Sequence, residues 1–201
     1  MPNVLFVKSS VSGDAGQSSQ LLAHFAAQLP SSVQQQSIDV AAAPMPHLAM
    51  AEMGAWMTAQ AERTADQQAA AALSDQAIAA VTAADVLVVA VPMYNFAVPS
   101  QLKAWFDRLA RAGITFKYTA EGPVGLLADK PVIFVLTRGG KYQGTALDSQ
   151  TPYLQAFFNF IGLKQQHYVY AEGLNMGAEV ASAALSAAKA ELEQLARRVI
   201  A

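Results

Sequence analysis

The sequence has no cysteine, few charged residues and no long apolar run, and each absence excludes a class of protein. Without cysteine, disulfide bonds, thiolate catalysis and iron–sulfur clusters are excluded. Only 14% of the residues are charged and the net charge is −2, so the basic surface of a nucleic-acid-binding protein is missing. We therefore expect no nucleic acid partner, and any redox chemistry would need a bound cofactor.

Membrane insertion and secretion are not expected either. The longest strongly apolar run lies within residues 85–93, far below the roughly 20 residues that a membrane-spanning helix needs. The N-terminal residues, Met1 to Lys8, lack the order of a signal peptide, in which basic residues precede the apolar stretch. These features predict a cytoplasmic protein without a membrane partner.

The 201 residues suit a single α/β domain, because predicted strands and helices alternate along the chain. Strands are predicted at residues 3–8, 35–40, 86–91, 132–136 and 167–171. Helices are predicted from Ser18 to Pro30 and at residues 66–83, 99–112, 151–161 and 180–200. This alternation favours a doubly wound parallel sheet, and five strands suit the order 2-1-3-4-5 of the flavodoxin-like fold.

Three local features complete this prediction. Residues 114–118 and 124–127 flank Glu121-Gly122-Pro123, which predicts a small hairpin. The methionine-rich segment from Met45 to Met57 is interpreted as an irregular loop packed by flexible side chains. Ser18 or Ser19 is the expected N-cap of the first helix.

The loop after the first strand, residues 8–19, is rich in serine and glycine and leads into a helix. In a sheet of this order, ligands bind beyond the carboxyl ends of the strands. Backbone N–H groups, serine hydroxyls and the helix dipole could hold a phosphate there without a lysine or arginine. Taken alone, the loop is explained equally well as an ordinary surface loop with an N-cap.

The loops after the third and fourth strands offer surfaces for a flat ring. Residues 92–96 are apolar and aromatic where loops are usually polar, and residues 137–140 end in two glycines that allow close backbone approach. Alone, Tyr94 and Phe96 would be interpreted as core residues, and the glycine pair as a turn. Together, the three loops supply contacts for a phosphate, a ring face and a ring edge, which are the three parts of flavin mononucleotide (FMN).

Competing phosphate sites lack their required residues. The Gly-Lys-Ser/Thr loop of nucleoside triphosphatases and the three-glycine dinucleotide fingerprint are both absent. A phosphorylated receiver domain would need acidic residues where Lys8 and Met93 stand. His24, His47 and His167 have no spacing typical of a metal site, so no metal is expected.

A series of short motifs runs along the chain. They are Lys8-Ser9-Ser10, Gln17-Ser18-Ser19-Gln20-Leu21, Pro92-Met93-Tyr94-Asn95-Phe96, Arg111-Ala112-Gly113, Thr115-Phe116-Lys117-Tyr118-Thr119, Thr137-Arg138-Gly139-Gly140, Thr151-Pro152-Tyr153-Leu154, Phe160-Ile161-Gly162 and Ala171-Glu172-Gly173. In these motifs and in their order, over nearly its whole length, the chain resembles the FMN-dependent NADH-azoreductases, also described as NAD(P)H quinone reductases.

The resemblance implies a homodimer in which bound FMN carries two electrons from NADH or NADPH to quinones or azo compounds by a ping-pong mechanism, without a catalytic side chain. It places Tyr118 and Phe160 at the wall of the substrate pocket, at the subunit interface. The implied cofactor-binding residues are Ser10, Gln17, Ser18, Ser19, Met93, Tyr94, Asn95, Phe96, Thr137, Arg138, Gly139 and Gly140.

Two other functions remain open. An FMN electron carrier of the same fold would act through a protein redox partner, but such carriers tend to be strongly acidic and this chain is not. A cofactor-free interaction domain is the second, since a fold does not by itself give a function.

Overall fold

The computed structural model describes residues 1–199, which form a five-stranded parallel sheet and a separate hairpin. The strands are β1 (Asn3–Lys8), β2 (Gln34–Asp39), β3 (Val86–Pro92), β4 (Phe116–Thr119), β5 (Gly122–Gly125), β6 (Val132–Thr137) and β7 (Gln166–Ala171). The parallel sheet has the order β2-β1-β3-β6-β7. The predicted flavodoxin-like order is therefore confirmed.

Helices cover both faces of the sheet. They are α1 (Gln17–Ala27), α2 (Met50–Met57), α3 (Ala65–Ala83), α4 (Ser100–Leu109), α5 (Gln150–Ile161) and α6 (Ala178–Val199). The predicted end of the last helix, Ile200, lies outside the described residues. Side chains of α1 and α6 pack on one face, and those of α3, α4 and α5 pack on the other.

The central strand β3 is buried along its whole length because both faces are covered. Leu87, Val89 and Val91 pack towards α3, α4 and α5, whereas Val88 and Ala90 pack towards α1 and α6. A continuous apolar run is the pattern expected for such a strand. The burial of β3 fixes the position of the loop that follows it, at the carboxyl edge of the sheet.

The predicted hairpin is present, with its strands displaced along the sequence. Thr119 pairs with Gly122, and Tyr118 pairs with Pro123. The turn therefore consists of the two residues between Thr119 and Gly122, and Gly122 adopts φ 119°. Pro123 belongs to a strand rather than to the turn, which a two-stranded ribbon tolerates because both strands are edges.

Two local predictions were wrong. The methionine-rich segment contains a helix, α2, whose Glu52 accepts a hydrogen bond from the Ala49 N–H and forms a buried ion pair with Arg108 of α4. The N-cap of α1 is Gly16, and no side chain caps this helix. A Cβ at Gly16 would lie 2.1 Å from the Ser10 Oγ, so the close approach of the loop selects glycine there.

Within residues 1–199, no helix is long and apolar enough to span a membrane. The same residues contain no group of three or more His, Asp or Glu side chains that could hold a metal ion.

Candidate functional site

A cleft of about 300 Å³ opens at the carboxyl ends of β1, β3 and β6. The three loops singled out in the sequence meet there, because parallel strands all end at the same edge of the sheet. The predicted residues that line the cleft are Ser10, Gln17, Ser18, Met93, Tyr94, Thr137, Arg138 and Gly139.

One end of the cleft, which we call the anion-binding end, gathers hydrogen-bond donors that have no partner in the described residues. Since Gly16 has no capping side chain, the N–H groups of Gln17, Ser18 and Ser19 at the start of α1 have no capping partner. Ser18 is 1% exposed, and its Oγ has no hydrogen-bond partner among residues 1–199. A buried hydroxyl without a partner is costly, so its position beside free N–H groups indicates a missing acceptor.

Lys8, the cation at the end of β1, forms ion pairs away from the cleft. Lys8 pairs with Asp14 and Asp39, and the hydrogen bond to Asp14 raises the pKa of its ammonium above the ordinary value. Lys8 lines a separate pocket of about 240 Å³ between α1 and β2, together with Ser19. An anion in the cleft would therefore be held by neutral donors, and Ser19 can contribute its N–H rather than its hydroxyl.

Tyr94 connects the anion-binding end to the aromatic loop after β3. Its hydroxyl accepts a hydrogen bond from the Val11 N–H at 3.2 Å and lies 3.3 Å from the Ser10 Oγ. Met93 is tied to the next strand by a bond from its N–H to the Thr137 carbonyl. Hydrogen bonds therefore join the loop after β1 directly to the loop after β3.

The aromatic loop contains a strained turn. Tyr94 and Ala97 exchange two backbone hydrogen bonds, at 3.1 and 3.0 Å, around Asn95 and Phe96. These two residues have φ 50° and 61°, the left-handed region required by a type I′ turn. A bulky residue such as phenylalanine is rare there, and each such residue costs about 1–3 kcal/mol. Phe96 is 50% exposed, and its ring centroid lies 5.5 Å from that of Tyr142.

The guanidinium of Arg138 is turned into the protein, although its backbone lines the cleft. Arg138 is 1% exposed, donates to Asp148, Glu172 and Gln150, and lies 5.1 Å above the ring of Tyr170. Its charge is therefore neutralised internally and does not face the cleft.

Asp148 forms an ion pair with this guanidinium. Burial raises the pKa of its carboxyl, but hydrogen bonds from Arg138 and Thr151 outweigh burial and leave the pKa below its ordinary value. The carboxylate is therefore the stable form beside Arg138.

A fourth loop, after β7, also reaches the cleft. Leu174 and Asn175 line it, and their N–H groups donate to the carbonyls of Arg138 and Gly139. Glu172 accepts hydrogen bonds from the backbone of Tyr142 and Gln143, and so holds the loop that follows Gly140. The sequence analysis assigned no site role to these residues, although it named Ala171-Glu172-Gly173 as a motif and predicted a fifth strand that ends at the same edge.

Gly139 and Gly140 allow neighbouring side chains to approach the backbone closely. A Cβ at Gly139 would lie 2.6 Å from the Asn175 Nδ2, and one at Gly140 would lie 2.6 Å from the Tyr142 ring. A larger residue at either position would therefore have to displace the Asn175 or Tyr142 side chain.

Tyr118 and Phe160 lie apart from the cleft of their own chain. They share an aromatic cluster with Phe116, whose ring centroid is 5.6 Å from that of Tyr118 and 4.2 Å from that of Phe160. α5 begins beside the carboxyl end of β3, and Phe160 is near its far end, about 15 Å away at the helical rise of about 1.5 Å per residue. Tyr118 is 74% exposed.

Comparison with known proteins agrees with this fold. A family model described as "Flavodoxin-like fold" matches residues 2–196. The FMN-dependent NADH:quinone oxidoreductase of Alteromonas mediterranea is 50% identical over 199 residues, which cover 98% of this chain and 100% of the relative. The protein of the same name from Cellvibrio japonicus is 48% identical and covers 96% of this chain and 98% of its own.

Solved structures give the same result. An azoreductase from Bacillus anthracis superposes with a TM-score of 0.89 at 28% identity, covering 98% of this chain and 100% of that one. An FMN-dependent NADH-azoreductase from the same species, solved in complex with FMN, has a TM-score of 0.87 at 26% identity and covers 98% and 99%. The chain therefore belongs to the flavodoxin-like fold family, among the proteins named FMN-dependent NADH:quinone oxidoreductase.

Proposed function

We propose that this chain is an FMN-dependent NADH:quinone oxidoreductase that also reduces azo compounds. The observation that carries the proposal is the partnerless buried hydroxyl of Ser18 beside the uncapped start of α1, in a cleft whose other walls are Met93, Tyr94 and a glycine-containing loop. The names of the relatives and the FMN in the Bacillus anthracis structure support it.

The residues present fit FMN part by part. The phosphate would bind the hydroxyls of Ser10 and Ser18 and the N–H groups of residues 17–19, including Gln17 and Ser19. The isoalloxazine would lie against residues 93–96, and its pyrimidine edge would meet the backbone of residues 137–140. A recess of about 730 Å³, lined by Val11 and residues 93–95, adjoins this loop and provides room for the ring.

When bound, FMN would supply the redox chemistry, by accepting a hydride from the nicotinamide and passing two electrons to a quinone or azo acceptor. The side chains and backbone of this protein would bind the FMN and orient its ring. Met93 and Tyr94 line the cleft and would contact the ring beside the turn at Asn95 and Phe96, and N–H groups of the loop after β6 would donate to its heteroatoms. NADH and the quinone or azo acceptor would bind in turn at the same open face of the flavin. We therefore propose ping-pong kinetics, with NADH or NADPH as the electron donor.

We further propose a homodimer of one-domain chains, acting in the cytoplasm. Tyr118 and Phe160 lie away from the cleft of their own chain, and Tyr118 is exposed on the hairpin. A second copy would bring this aromatic cluster over the partner's cleft and complete the substrate pocket. Dimerisation would also cover the exposed aromatic surface.

Heat release of the cofactor from the purified protein tests the proposal. We expect a yellow protein that releases one FMN per chain, because the anion-binding end has donors for one terminal phosphate and the sequence lacks an adenine-binding fingerprint. Recovery of FAD, or failure of added FMN to bind the colourless protein, would overturn it.

A further inference from the structure

Gln150, the first residue of α5, joins two loops of the cleft through one buried side chain. It is 1% exposed. Its Oε1 accepts a hydrogen bond from the Arg138 Nε at 3.1 Å, and its Nε2 donates to the carbonyls of Pro92 and Ala97, both at 3.2 Å. Pro92 ends β3, and Ala97 closes the strained turn. Both ends of the aromatic loop are therefore fastened to the same amide group.

The preceding residue fastens the middle of the same turn. Ser149 donates a hydrogen bond from its Oγ to the carbonyl of Phe96, the residue at φ 61°. Within the turn itself, only the two bonds between Tyr94 and Ala97 oppose the strain. Strained backbone persists only where its surroundings enforce it, and here the start of α5 supplies hydrogen bonds to the backbone of the turn itself.

We propose that Gln150 is a positioning residue that, together with Ser149, holds the turn at Asn95 and Phe96 in the conformation that receives the flavin ring, in register with the Arg138 loop. This inference rests on the proposed function. A turn held in place before binding spares the ligand the entropic cost of ordering it. We call the hydrogen bonds from Gln150 and Ser149 the clamp. Without the clamp, the turn would relax from its left-handed conformation and the loops after β3 and β6 would move independently.

Gln150→Met tests the clamp, because methionine keeps the length of the side chain but neither donates to the two carbonyls nor accepts from Arg138. Two readouts are local: hydrogen exchange of the Ala97 amide in the full-length chain stripped of FMN, and the visible absorption band of bound FMN. We expect Ala97 exchange to rise by about tenfold relative to the Val89 amide of β3, and the Kd for FMN to rise by about tenfold. The absorption band should shift.

Two further variants complete the experiment. Ser149→Ala removes one bond at an exposed position and leaves Gln150 intact, so we expect changes of the same kind and about threefold in size. Gln155→Met makes the same substitution as the test variant on the exposed side of α5, where the side chain has no hydrogen bond within residues 1–199, and should match the wild type.

The possible outcomes separate the clamp from the proposed function. Unchanged Ala97 exchange and unchanged FMN affinity in folded Gln150→Met would overturn the inference while leaving the proposed function intact. An equal rise in exchange at Ala97 and Val89 would also overturn it, because that indicates only a loss of global stability. If Gln150→Met does not fold, Ser149→Ala decides by the same readouts. If the wild type does not bind FMN, the proposed function fails, and Ala97 exchange alone still decides whether the turn is clamped.

Discussion

Ser18 and Ser19 both bury a hydroxyl without a partner in the described part of the chain, but they face different pockets. For Ser18→Ala we predict an FMN Kd about tenfold or more above the wild-type value, because a hydrogen bond to a charged group contributes about 1.5–3 kcal/mol. The unfolding free energy of the FMN-free chain should not fall, since the hydroxyl has no partner there to lose. Flavin fluorescence quenching and urea denaturation measure the two quantities.

Ser19→Ala is the matched control for this prediction. It keeps the N–H that we assign to the phosphate, and its hydroxyl lines the pocket between α1 and β2. We expect a smaller loss of FMN affinity than for Ser18→Ala. Equal losses, or a destabilised FMN-free Ser18→Ala chain, would contradict the assignment.

From the lowered pKa of Asp148 we predict that the free energy of unfolding depends on pH. Its pKa is below the ordinary value in the folded chain, since hydrogen bonds from Arg138 and Thr151 outweigh burial. Its stabilising contribution is therefore complete above the unfolded pKa of about 4 and is lost as the pH falls through the lower folded value. Asp148→Asn should be less stable than the wild type at pH 7, and the difference should shrink as the pH falls below about 4.

Urea denaturation across this pH range measures the effect, with Glu121→Gln as the control. Glu121 is an exposed carboxyl in the hairpin turn, and its side chain makes no hydrogen bond within residues 1–199. A constant difference between Asp148→Asn and wild type at all pH values would show that Asp148 does not act through its charge.

At the scale of elements, the junction between the first loop and α1 depends on Gly16. A Cβ there would lie 2.1 Å from the Ser10 Oγ and 2.7 Å from the Ser10 Cβ. Gly16→Ala must displace Ser10 or the start of the helix, so we predict loss of stability together with at least tenfold weaker FMN binding, the size of about 1.4 kcal/mol. Thermal denaturation and fluorescence quenching test this.

Gly54→Ala provides the comparison. Gly54 lies within α2, and a Cβ there would meet nothing within 4 Å. Alanine in a helix interior should raise stability by roughly 0.5–1 kcal/mol and leave FMN affinity unchanged. If Gly16→Ala behaved like Gly54→Ala, close packing of the loop would not be the reason for glycine at this junction.

The strand positions followed from the sequence because they depend on local signals, and the strand order and the location of the cleft followed from the fold class that their alternation suits. Buried runs such as residues 86–91 indicate central strands, and the topology of the fold then places the cleft at the carboxyl edge of the sheet. α2 was missed because one of its contacts, the ion pair between Glu52 and Arg108, joins residues that are far apart in the sequence. The N-cap prediction failed for a different reason: the fold of the loop brings Ser10 against Gly16, and residue preferences alone do not show this approach.

The same distinction applies to the candidate site. Loops that present backbone groups to the cleft could be recognised from composition, as with the glycines after β6. The inward turn of the Arg138 side chain could not, since it depends on Asp148, Gln150 and Glu172 from three separate positions. The roles that we give to the individual site residues stay predictions until they are tested.

At the scale of the whole molecule, the separation of Tyr118 and Phe160 from the cleft of their own chain predicts a dimer. Light scattering should give about twice the chain mass of 21.2 kDa. Tyr118→Ala should raise the KM for a quinone while leaving the FMN Kd unchanged, because the tyrosine would line the partner's substrate pocket without contacting the anion-binding end of the cleft. A fully active monomer would contradict this arrangement.

The most direct test of the central claim is anaerobic reduction of the FMN-loaded protein by NADH, followed by addition of a benzoquinone or an azo dye. We predict that NADH bleaches the flavin absorption completely, that the acceptor restores it, and that steady-state plots at several acceptor concentrations are parallel lines. The lines are parallel because the two substrates would occupy one site in turn. A flavin that NADH reduces only slowly, and that exchanges electrons only with a redox protein, would contradict the account and identify an electron carrier instead.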